Sequence, residues 1–117
     1  MGLVSVSREY TLADNSTFIV FKIKNNATRS IRNLFAWVYE YRESKSGTPS
    51  DFRLVNNPNR GGTLIEEDVH RPGTVAEWRF PLIGQDTVAD SAKRFALRVS
   101  PSAVFFAQIE PNAKPGK

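Results

Sequence analysis

Hydrophobic and polar side chains alternate with a period of two along most of the chain, the pattern of strands that bury one face. From Thr17 to Asn25, Ile19, Phe21 and Ile23 alternate with Val20, Lys22 and Lys24. Ala76, Trp78, Phe80 and Leu82 alternate with Val75, Glu77 and Arg79, and Phe95, Leu97 and Val99 alternate with Ala96 and Arg98. Ile31 to Arg42 is the longest extended segment, and both of its faces are apolar: Leu34, Ala36 and Val38 on one side, Phe35, Trp37, Tyr39 and Tyr41 on the other. Shorter strands are expected at Leu3 to Thr11, Phe52 to Val55, Thr63 to Glu67 and Val104 to Ile109. The segments between them are rich in turn residues, among them Asn25-Asn26-Ala27-Thr28, Asn57-Pro58-Asn59-Arg60-Gly61-Gly62 and Arg71-Pro72-Gly73. Helical periodicity is confined to one turn at Asp86 to Lys93, with Asp86 as its N-cap and Ala89 and Ala92 on one side.

About seven short strands punctuated by Pro and Gly turns predict an all-β, immunoglobulin-like antiparallel β-sandwich. With 117 residues, of which 40% are hydrophobic, the chain has material for one core, so residues 1–110 read as a single domain and 111–117 as a flexible C-terminal tail. The longest apolar run falls far short of the roughly 20 residues a helical membrane span needs. No signal peptide is expected in the N-terminus Met1-Gly2-Leu3-Val4-Ser5, which has neither a basic flank nor a long apolar segment. The compartment stays open: cytoplasmic as the chain stands, periplasmic or extracellular if a leader has been removed.

Charge and chemistry narrow the function by exclusion. There are no cysteines, so disulfides, thiolate zinc sites and cysteine nucleophiles are ruled out. The net charge of +4 lies in the first half, where residues 1–60 carry nine basic and five acidic groups against seven of each in residues 61–117. Lys22, Lys24, Arg29 and Arg32 cluster in sequence around one turn, too sparsely for the basic stripe of a nucleic-acid domain. The single histidine, His70, cannot build a histidine and thiolate zinc site, and no Gly-x-Ser-x-Gly elbow supports it as a triad base. Glu66-Glu67-Asp68 reads as an exposed loop without EF-hand spacing. A carboxylate pair for glycoside hydrolysis would have to come from Glu40, Glu43, Glu66, Glu67 and Glu77, and the spacing singles out no pair. No metal, cofactor or catalytic residue is expected.

Three segments carry a family layout: Val20-Phe21-Lys22-Ile23-Lys24-Asn25-Asn26, then Ile31 to Tyr41, then Arg71-Pro72-Gly73-Thr74-Val75-Ala76-Glu77-Trp78-Arg79-Phe80. In this arrangement Phe18 to Ser100 resembles the FxLYD-like and related immunoglobulin-like domains of bacterial exported proteins. The chain departs from that pattern at Tyr39-Glu40-Tyr41-Arg42, where the family tends to show Tyr-Asp, and in the length of Glu43 to Gly62. The resemblance implies an accessory, non-catalytic domain and supplies no ligand or site residues.

The row Phe35, Trp37, Tyr39 and Tyr41 runs for about 20 Å along one strand face. Its expected destination is the sandwich core, because each sheet must bury one face, with an open platform as the alternative. In either case the second apolar face needs a cover. The function expected is therefore a non-enzymatic protein-binding or assembly module that buries this face against a partner or a second copy. Phe35, Trp37, Tyr39 and Tyr41 supply the apolar contact, and Arg29, Arg32 and Arg42 pair with carboxylates. A carbohydrate-binding module using the same aromatics is the alternative.

Overall fold

A computed structural model describes residues 2–13, 17–43, 46, 48–83 and 93–107. The strands in chain order are β1 (Val4–Leu12), β2 (Phe18–Asn25), β3 (Ile31–Leu34), β4 (Trp37–Glu43), β5 (Pro49–Leu54), β6 (Thr63–Leu64), β7 (Val75–Pro81), β8 (Lys93–Arg98) and β9 (Val104–Phe106). They form a four-stranded sheet in the order β1-β2-β7-β6, a three-stranded sheet β5-β4-β8 and a pair β3-β9. Every pairing is antiparallel. The protein is an all-β sandwich.

The three sheets make two layers. β3 and β4 are separated only by Phe35 and Ala36, and both pair with the segment that runs through β8 and β9. Trp37 stands opposite Arg98, so an unbroken ladder would set Leu34 opposite Pro101, yet Leu34 pairs with Val104. The difference is taken up by a 3₁₀ turn at Pro101–Ala103, whose proline cannot donate to a ladder. At the same break the carbonyl of Leu34 turns to Gly62 N–H at 2.8 Å, and the Asn56 side chain stands in for a strand by bonding Ala36 O at 3.0 Å and Val38 N–H at 2.8 Å. Counted as tracks among the described residues, β3–β4 and β8–β9 are single interrupted strands, so the nine elements reduce to seven tracks. Ile31 to Arg42, expected as one strand, is broken in two, while the two strands expected at Phe95 to Val99 and from Val104 follow one track.

The core lies where the two inner faces meet. Ile19, Phe21 and Ile23 of β2 and Trp78 and Phe80 of β7 are at most 1% exposed, with Phe21 opposite Trp78 and Ile19 opposite Phe80. Leu34, Ala36, Val38, Phe95 and Val104 close over them from the second layer. Burying each large apolar side chain contributes about 1.5–3 kcal/mol, so this double row is the main stabilising element.

One end of the sandwich is held by a polar clasp. His70 is fully buried, and its backbone exchanges two hydrogen bonds of 2.9 Å with Ile31. Its Nδ1 accepts from Trp78 Nε1 at 3.1 Å, which leaves Nε2 to donate to Thr74 O at 2.8 Å and fixes the neutral imidazole. Asn25, also fully buried, donates to the carbonyls of Arg29 and His70 and accepts from Ala27 N–H, tying the β2–β3 turn to the same point. The Pro72-Gly73 turn completes the clasp, with Gly73 at φ 75°, where a side chain would be strained.

Several boundaries differ from the sequence pattern. β5 starts at Pro49 rather than Phe52, and β6 ends at Leu64 rather than Glu67, because Glu66 at φ 73° turns the chain out of the sheet. The strand expected over Val104 to Ile109 is seen at Val104–Phe106, and residues 108–109 lie outside the described residues. The expected helical turn at Asp86 to Lys93 lies outside the described residues up to Ala92, and Lys93 opens β8. The tail 111–117 also lies outside them.

Candidate docking face

The outer surfaces of the two layers differ in character. On the first sheet Lys22 stands opposite Glu77, Lys24 opposite Val75 and Val20 opposite Arg79, and the Arg79 guanidinium sits 5.2 Å above the Phe18 ring. Charged groups cover that side, as on an ordinary solvated face. The second layer presents the aromatic row. Trp37 is opposite Arg98, Tyr39 is flanked by Ala96 and Leu54, and Tyr41 is opposite Arg94. Directly opposed residues share a face, so β4, β5 and β8 together build one apolar surface.

The expectation that this row fills the core is therefore corrected. Burial along the segment alternates strictly from Leu34 to Val38: Leu34, Ala36 and Val38 are inside, while Phe35 and Trp37 are half-buried and face outward. The aliphatic side chains win the interior because the opposing sheet already brings Phe21, Trp78 and Phe80, and close packing leaves no room for a second row of large rings. Phe52 at 59% exposure and Leu54 at 41% extend the outer surface on β5, and Phe105 at 47% extends it beside Phe35. The periodicity identifies Phe52 and Leu54 as strand residues but does not show that β5 lies beside β4, and nothing local marks Arg94 and Arg98 as their neighbours.

Several rings of this surface are already covered on one side. Arg98 lies 5.8 Å above the Trp37 ring, Tyr41 stacks on Phe52 with centroids 5.2 Å apart, and Phe35 meets Phe105 edge to face at 5.6 Å. Glu40 points the other way, with its Oε2 3.4 Å from the Arg53 guanidinium, whereas Glu43, two residues after Tyr41, lies on the same side and lines one recess with Tyr41, Phe52 and Arg94.

The arginines chosen from sequence do not converge. Arg29 donates to Ala107 O at 2.8 Å and lies 5.2 Å above the Phe106 ring, so its guanidinium joins the β2–β3 turn to the end of β9. Arg32 is exposed on β3 and Arg42 is exposed near the end of β4, about 33 Å apart along the strand track. The sequence cluster Lys22, Lys24, Arg29 and Arg32 is likewise divided, since Lys22 and Lys24 lie on the first sheet and Arg32 on the second layer.

Two recesses bear on other chemistries. Glu66, Glu67 and Glu77 line one of about 410 Å³ beside β6, and all three are exposed. A second, of about 570 Å³, is lined by Val6 and Arg8 of β1 and by Tyr41, Phe52, Arg94 and Phe95 of the second layer, so it adjoins the aromatic row. Tyr10, also on β1, packs its ring against Phe21 and Phe95 at 5.8 and 5.6 Å. Burial raises the Tyr10 hydroxyl above its ordinary pKa of 10.0, against the opposing effects of a backbone hydrogen bond from Phe95 and of the Arg94 charge. Among the described residues no three His, Cys, Asp or Glu side chains group as metal ligands, and no helix is long and apolar enough to cross a membrane. No family model, curated protein or solved structure matches the chain.

Proposed function

We propose that the protein is a non-enzymatic docking module whose outer β5-β4-β8 face is buried against a protein partner. The observation that carries this reading is the asymmetry of the sandwich. One outer surface is charged, and the other joins half-buried Trp37, Tyr39 and Tyr41 to Phe52 and Leu54, which stay 59% and 41% exposed. A contiguous apolar surface of that kind on a small domain is where partners bind.

Protein contact is favoured over sugar stacking because a pyranose needs a bare ring face. Arg98 already covers one face of Trp37, and Phe52 covers one face of Tyr41. A hydrolytic role for Glu66, Glu67 and Glu77 is disfavoured because all three are exposed to solvent.

The test is a photo-crosslinking amino acid placed at Phe52, compared with the same group at Val75, which is exposed at 62% on the opposite layer. Expressed in its native cell, the Phe52 variant is expected to yield a discrete protein adduct that the Val75 variant lacks. Equal adducts from both positions, or none from Phe52, would refute the reading.

A further inference from the structure

We infer that the loop between β6 and β7 is an acid-released latch, which stays closed on the β2–β3 turn while His70 is neutral and swings away when the imidazole takes up a proton, leaving the sandwich folded. The inference is independent of the docking-face reading. Its basis is that the residue anchoring this loop is titratable and makes hydrogen bonds that its charged form cannot keep.

From Glu66 to Thr74 the loop buries a single residue, His70, and its other residues are half-buried or exposed. Hydrogen bonds to the sandwich gather at that point. His70 exchanges two backbone bonds with Ile31, and its carbonyl also accepts from the Asn25 side chain at 2.8 Å. Beside it, Gly73 N–H donates to Asn25 O at 2.8 Å and Asn25 N–H to Thr74 O at 3.0 Å. A segment with so little buried apolar surface opens at lower cost than the strands it covers.

Both ring nitrogens are committed, Nδ1 as acceptor from Trp78 Nε1 and Nε2 as donor to Thr74 O. The indole nitrogen only donates, so a proton on Nδ1 would set one N–H against another. Trp78 is 1% exposed and packs opposite Phe21, which leaves its ring no room to turn aside. The loop is what can move, and moving it carries the charged ring to water.

The surrounding charges do not hold the imidazolium in place. Glu67 favours the charged form, but it is exposed, and burial of the ring outweighs it. On the same loop Glu66 and Asp68 are also exposed, and half-buried Arg71 has the sign of the imidazolium. The residues that meet His70 from β2, β3 and β7 are Asn25, Ile31 and Trp78, all uncharged. Their charged neighbours Lys24, Arg32 and Glu77 are exposed, and Arg29 of the β2–β3 turn donates to Ala107 O.

In the open loop the ring has its ordinary pKa of 6.5, so each pH unit below that raises the ratio of open to closed by up to about tenfold. Amide hydrogen exchange, corrected for the intrinsic effect of pH, reads this ratio even when the open form is rare. The amides of Ile31, His70 and Gly73 are expected to exchange faster than those of the β2–β7 ladder at every pH, and to lose about thirtyfold in protection between pH 7.5 and 5.0. In His70→Gln, which offers an acceptor and a donor but takes no proton, the loss should vanish. His70 is the single histidine, so its ring resonances can also be titrated in the wild type, with a midpoint expected below 6.5. Latch amides as protected as the ladder, unchanged protection at pH 5.0, the same loss in His70→Gln or a ring midpoint at 6.5 would each overturn the latch.

Discussion

The two tryptophans make the face assignment measurable, because they sit on opposite sides of the same argument. Trp78 is 1% exposed, packs opposite Phe21 and donates its Nε1–H to His70. Trp78→Ala opens a large core cavity costing about 3–5 kcal/mol and leaves the buried His70 Nδ1 without its donor, about 1–3 kcal/mol more. A total of about 4–8 kcal/mol is a large share of the roughly 5–15 kcal/mol that stabilises a domain. Trp37 is half-buried on the outer face, and its ring meets Arg98. Trp37→Ala gives up part of that burial and a cation–π contact of about 0.5–1 kcal/mol, and it opens no closed cavity, so about 1–2 kcal/mol is expected. Urea unfolding followed by far-ultraviolet circular dichroism reads the difference without depending on the residue removed. At a common slope of about 1–3 kcal/mol per molar urea, the Trp78 variant should shift its midpoint about four times as far as the Trp37 variant, or not fold. Equal losses for the two variants would place Trp37 in the core and remove the docking face.

Two further predictions concern the clasp and the core. Burial holds the His70 imidazole below its ordinary pKa of 6.5, against the Thr74 carbonyl and the Glu67 charge, which act to raise it. The unfolded chain therefore takes up the proton first. The clasp contributes fully above about pH 6.5, and stability falls as pH drops below that value, at up to about 1.4 kcal/mol per pH unit. Melting curves at pH 7.5 and 5.5 should separate wild type from His70→Gln by the loss of this slope, and parallel curves would contradict it. A Cβ on Gly62 would stand 2.6 Å from Phe80 Cε1, inside the core, so Gly62→Ala should cost about 1–3 kcal/mol in the same urea assay. A wild-type midpoint would show that Phe80 has room to move.

The fold was largely legible because period-two alternation reports directly which side chains face inward. Ile19, Phe21 and Ile23, and Trp78 and Phe80, are read from that alternation and lie in the core. Ile31 to Arg42 was ambiguous for a physical reason: both of its faces are apolar, so its own pattern cannot say which one the opposite sheet takes. That is settled by volume supplied from β2 and β7, which is non-local. The same limit hid the break at Phe35, since it depends on Asn56 and Gly62 reaching the strand from another segment. Composition says only that His70 lacks the partners of a zinc site; its role in the clasp depends on Trp78, eight residues away, and on Ile31 across the fold. For the docking surface, the aromatic row was visible in sequence. Its neighbours Phe52, Leu54, Arg94 and Arg98 come from strand order, and the arginines chosen by proximity in sequence were dispersed by it.

Strand order also bears on the proposed docking, because it decides which edges are open. A sandwich offers its faces and its edges, and an exposed edge recruits other strands unless it is interrupted. Here each edge is interrupted differently. β1 shifts register between Val6 and Tyr10, where Ser7 Oγ takes the Glu9 N–H, and β6 has only two residues. β5 begins with Pro49 and carries Asp51 at φ 57° beside its own register shift. The β8–β9 track is broken by the turn at Pro101–Ala103. All four devices disturb the regular ladder that strand addition requires. None of them covers the ring surface made by Trp37, Tyr39, Tyr41 and Phe52. Resistance to edge pairing at four places, together with an aromatic face that none of these devices covers, supports the proposed docking through that face over strand addition at an edge.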